Sequence, residues 1–121
     1  MAEIKVTPNN EDLILNFKFN SPQQFFYNVK VLNNDTGQII FESQGQWDGK
    51  KEFVLGKANK LIGSLLTIDW TIIDPAGKDN NFNAEAAIYQ DNVKCEEPLL
   101  CTGTTSDTAI NYPSSGLFIN Q

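Results

Sequence analysis

Residues 65–73, LLTIDWTII, alternate with a period of two. Leu66, Ile68, Trp70 and Ile72 fall on one face of a strand, and Thr67, Asp69 and Thr71 on the other. Four large apolar side chains on one pleated face need a second layer to cover them, so the segment predicts a central strand of an all-β domain. It stops at Asp74-Pro75-Ala76-Gly77. There Asp can bond its own backbone, Pro presets φ and Gly suits the fourth turn position.

The same period recurs along the chain. It predicts strands over 3–7, 12–19, 25–32, 38–47, 50–55 and 82–90, a short one over 93–95, and a closing edge strand at 117–119. Asn34-Asp35-Thr36-Gly37 predicts a type I turn with a left-handed glycine, and Asp91-Asn92 a tight turn. Residues 56–63, GKANKLIG, lack a strand period and predict one helical turn that lays Leu61 and Ile62 on the core edge. Asp48-Gly49 is a two-residue hairpin signal. A hairpin there puts Phe41, Ser43 and Trp47 on a face with Val54 and leaves Phe53 and Leu55 on the opposite one. A bulge at or beside Gly45 would reconcile them, since glycine inside a strand often marks one.

Seven to nine short strands with turn signals between them predict a single antiparallel β-sandwich domain over 1–121, immunoglobulin-like or jelly-roll-like. A small closed β-barrel is the alternative. Residues 96–116 break the pattern; they are rich in Thr, Ser, Gly and Pro and read as a loop-rich segment.

Charge narrows the function. The net charge is −6, and all nine basic residues are lysines, with no arginine and no histidine. Nucleic-acid binding draws on clustered cations and on bidentate arginine, so nucleic acid is not expected as a partner. Without histidine no Ser-His-Asp or Cys-His arrangement can be built, and the chain reads as non-enzymatic. Apolar runs are too short for a membrane span, and the N-terminus lacks the apolar region of a signal peptide.

The candidate sites follow from turns and loops. Trp47 and Asp48 fall at the predicted hairpin tip beside Gln44 and Gln46, and Tyr112 in the loop-rich segment. An aromatic platform beside a carboxylate and amides suits a neutral sugar, whose apolar face stacks while its hydroxyls find polar partners. The plainer alternative is that Trp47 folds over the sandwich end and covers Lys50 or Lys51. Asp74, Asp79 and Glu85, among several asparagines, have the oxygen chemistry of a calcium site, although turn formation explains the same composition. Cys95 and Cys101 enclose five residues, and a disulfide would close that loop and point to a secreted destination.

Two functions remain. One is a lectin-like binding module that holds a neutral carbohydrate, or a protein surface ligand, through its end loops. The other is a structural protein that forms a homo-oligomer through sheet faces or edge strands.

Overall fold

The structure, a computed structural model, describes residues 2–19, 23–49, 52–74, 81–95, 99–104 and 109–121, with the backbone alone at 99–104 and 109–110. In chain order the strands are β1 (Ala2–Val6), β2 (Asp12–Phe19), β3 (Gln24–Asn33), β4 (Ile39–Gln46) and β5 (Glu52–Lys57). After the single helical turn α1 (Ala58–Leu61) come β6 (Ser64–Ile73), β7 (Asn81–Gln90), β8 (Val93–Lys94), β9 (Leu99–Thr104) and β10 (Ala109–Asn120). One sheet has the order β1-β10-β6-β3-β4. The other has the order β5-β2-β7, with β8 and β9 both pairing β7. All pairs are antiparallel except β1 with β10. The protein is therefore a β-sandwich, and among the described residues the sheets do not close into a barrel.

The alternating residues meet between the sheets as their period requires. Leu66, Ile68, Trp70 and Ile72 of β6 are buried against Leu13, Leu15 and Phe17 of β2. Phe17 sits at the centre of an aromatic cluster, its ring centroid 5.4–5.7 Å from those of Phe25, Tyr27, Trp47, Phe53 and Trp70. Burying each such side chain contributes about 1.5–3 kcal/mol, and aromatic pairing adds to that. The indole N–H of Trp70 is satisfied too, donating to Ser114 Oγ at 2.9 Å.

The predicted turns form as their chemistry requires. Asn33 Oδ1 accepts from the backbone N–H groups of Asp35 and Thr36, and Gly37 takes the left-handed conformation at φ 74°. Asp91 and Asn92 both have positive φ, 51° and 61°, between the paired Gln90 and Val93. That is the geometry of a two-residue type I′ hairpin. Leu61 of α1 is buried and Ile62 packs on the core edge, as the helical-turn reading expects.

The Asp48-Gly49 hairpin does not form. β4 and β5 lie in different sheets, and the chain crosses the sandwich at Trp47-Asp48-Gly49, with Gly49 at φ 90°. This removes the conflict over faces without a bulge at Gly45. Phe41, half-buried in one sheet, and Phe53, buried in the other, both look inward and meet edge-to-face at 6.3 Å. The register shifts lie elsewhere, at Ile40 opposite Val31 and Leu32, and at Leu55 opposite Leu13 and Ile14.

Part of the expected loop-rich segment is strand. β10 runs twelve residues and is not an edge, since it lies between β1 and β6. Its inward row includes Ser114 and Gly116, small residues because Trp70 and Ile4 fill the space beside them. A Cβ on Gly116 would sit 2.8 Å from Ile4 Cδ1. Pro113 pairs Asp69 on one side, while β1 begins its pairing only at Gly116. Pro113 is thus at a local edge, where a missing N–H costs no ladder bond.

The Cys95–Cys101 disulfide is also absent, and the register explains why. The Cys95 N–H donates to Ile88 O, whereas Cys101 pairs Ala84. Four residues of β7 separate those partners, roughly 14 Å at ~3.4 Å per residue, beyond the ~7 Å that a disulfide spans. Cys95 is a free thiol, half-buried, and burial pushes its pKa above the ordinary value.

Candidate functional site

The outer face of the sheet β1-β10-β6-β3-β4 carries the polar half of each alternating strand, and register aligns these residues into rows across the strands. In one row Gln46 pairs Phe26, Phe26 pairs Thr71 and Thr71 pairs Asn111. In the next, Gln44 pairs Asn28, Asn28 pairs Asp69 and Asp69 pairs Pro113. Apart from Pro113, these residues line an open trough of about 600 Å³ spanning β4, β3, β6 and β10. Phe26 is a half-buried aromatic ring, with Gln46 and Thr71 beside it in register. Asn111 Nδ2 donates to Thr71 Oγ1 at 3.2 Å, orienting both. A third row beyond the trough holds Lys30, whose Nζ lies 3.7 Å from Glu42 Oε2.

One atom stands out chemically. Asn28 Oδ1 is shielded from solvent and has no hydrogen-bond partner. An orphaned acceptor of this kind costs about 1–3 kcal/mol, and at that burial it is as closed to a ligand hydroxyl as to water. Among the described lining residues Asp69 is the single charged group and no cation is present.

The predicted site residues are dispersed. Gln46 lines the trough. Trp47 is half-buried instead of standing free at a tip; its ring packs edge-on against Phe17 at 5.6 Å and its backbone N–H donates to Phe25 O. Asp48 is exposed beside it. Tyr112 is in β10, its ring half-buried 5.6 Å from Phe82. Trp47 follows β4 and packs on Phe17, whereas Tyr112 of β10 packs on Phe82, with β3 and β6 between the two strands.

The calcium expectation also disperses. Asp74 is buried at the end of β6, and Glu85 lies within β7 with Lys94 Nζ at 3.3 Å from its Oε1. Asp79 lies outside the described residues, among which no group of three or more candidate metal ligands occurs.

Phe26, Asn28, Asp69, Thr71 and Asn111 were not legible as a site because they come from three strands distant in sequence. The local hint is the polar face of 65–73, with Thr67, Asp69 and Thr71.

A second cavity of about 400 Å³ lies at the sandwich end, lined by Lys5, Thr7, Asn9, Gln90 and Cys95 among others. Its polar groups are occupied with one another. Gln90 Oε1 accepts from the Thr7 N–H at 2.9 Å, while Gln90 Nε2 donates to Thr7 O at 2.7 Å and to Asn9 Oδ1 at 2.9 Å. It is a seam that ties β7 to the chain leaving β1.

Comparison with protein-family models, curated proteins and solved structures finds no match.

Proposed function

We propose that this protein is a non-enzymatic binding module that holds a neutral carbohydrate on the outer face of the β1-β10-β6-β3-β4 sheet. The observation carrying this reading is the trough chemistry: one aromatic ring, Phe26, framed by the amides of Asn28, Gln44, Gln46 and Asn111, with the Asp69 carboxylate among them. A pyranose offers an apolar face for the ring and hydroxyls that donate to Asp69 and pair with the exposed amides of Gln44, Gln46 and Asn111. The lack of a cation among the described lining residues, on a chain of net charge −6, disfavours an anionic sugar or a phosphate backbone. A single trough carboxylate supports binding over hydrolysis, which ordinarily takes a pair of them.

The test is an array of immobilised neutral glycans probed with the protein and with Phe26→Ala. Binding that falls on the order of tenfold in the variant, about 1.4 kcal/mol, supports the reading. Binding to no neutral glycan, or binding indifferent to Phe26, would overturn it.

Self-association is the second reading, and one observation favours it. On the same face Ile39 pairs Leu32, Leu32 pairs Leu65 and Leu65 pairs Leu117, an apolar row across four strands in which Ile39 is 50% exposed. Light scattering after size exclusion tests it: a dimer independent of concentration that Ile39→Lys dissociates supports assembly, and a monomer throughout rules it out.

A further inference from the structure

The dimensions of the trough restrict what kind of glycan it takes. It reaches from Gln46 on β4 to Asn111 on β10, three strand spacings, about 14 Å at ~4.8 Å each. Along the strands it covers two rows, about 7 Å at ~3.4 Å per residue. The Lys30–Glu42 ion pair occupies the following row on β3 and β4. The site is therefore about twice as long across the strands as along them.

Its chemistry is graded along that long axis. Phe26 is next to one end, on β3, while Tyr27, the other aromatic residue at the trough, turns its ring into the core. Asp69, paired with Asn28 across β6 and β3, places a carboxylate acceptor at the middle. Amides stand at both ends, Gln46 and Asn111, each exposed. A single sugar stacked on Phe26 would leave Asn111 two strands away and without a ligand partner.

On the strength of the carbohydrate reading above, we infer that the ligand is a linear neutral oligosaccharide lying perpendicular to the strands. One ring stacks on Phe26, the next gives a hydroxyl proton to Asp69, and the far ring reaches Asn111. About three linked rings fill the ~14 Å.

Calorimetric titration with neutral gluco-, manno- and xylo-oligosaccharides of increasing length tests this. Affinity is expected to rise by several-fold with each ring up to about three and then level off. Gln46→Ala and Asn111→Ala, both exposed positions whose folding is checked by thermal melting, should each weaken the trisaccharide several-fold. Asn111→Ala should leave single-ring binding unchanged. A single ring that binds as tightly as the trisaccharide would overturn the linear ligand while the carbohydrate reading stood. An Asn111→Ala variant with undiminished trisaccharide affinity would overturn the cross-strand orientation. No heat with any member of the three series would remove both.

Discussion

Phe17 is the residue on which most of the packing converges, with five aromatic neighbours drawn from both sheets. Phe17→Ala should cost about 3–5 kcal/mol, because the rigid rings around it cannot collapse into the space. Urea unfolding measures it, and a loss below about 1 kcal/mol would mean the cluster is not the centre of the core. At Gly116 the crowding is in the other sense. A methyl there meets the buried Ile4 at 2.8 Å, so Gly116→Ala should destabilise by about 1–3 kcal/mol. Ile4→Val, which removes the offending Cδ1, should recover part of that loss in the double variant. Cys95 adds a pH dependence. Its folded pKa is raised by burial, so its contribution to stability is present below the ordinary thiol value of 9.0 and is lost as pH climbs through the folded value. The stability advantage of the native protein over Cys95→Ala should therefore shrink on the alkaline side, as thermal melts in a Cys101→Ser background would measure.

At the scale of elements, legibility tracked the size of the inward residues. β2, β3, β6 and β7 were readable because Leu, Ile, Val, Phe and Trp alternate along them with polar residues. β10 hid its period, since Ser114 and Gly116 look like loop residues until Trp70 and Ile4 are seen to occupy their volume. The Asp48-Gly49 signal marked a real change of direction, yet a local turn motif carries no information on whether the next strand stays in the same sheet. The conflict between Trp47 and Phe53 over faces was the clue that it does not. The spacing of Cys95 and Cys101 misled for a related reason: five residues form a short loop when folded back, but the backbones of the two cysteines partner Ile88 and Ala84, four residues apart along β7. Intact mass without reductant should show a protein that keeps both cysteine hydrogens. A mass two hydrogens lighter, with Cys95 and Cys101 in one linked peptide, would contradict the register of β8 and β9.

For the whole molecule, the sandwich serves as a rigid frame on which four strands present one polar surface. Gln46 is visible in the sequence as an amide next to Trp47, and the register sets it beside Phe26 as well. Function placed on a sheet face is harder to read than function placed on a loop, because the face exists only after register is set by the hydrophobic halves of the same strands. This also ties stability to binding. The trough residues hold their spacing because Tyr27, Val29, Ile68 and Trp70, which alternate with them, are locked in the core. The most direct test is amide chemical-shift mapping by NMR while a neutral oligosaccharide is titrated in. The largest shifts are predicted at Phe26, Asn28, Gln44, Gln46, Asp69, Thr71 and Asn111, on four adjacent strands, with little change at Asp48. Shifts centred on Trp47 and Asp48, or none at saturating sugar, would contradict the account.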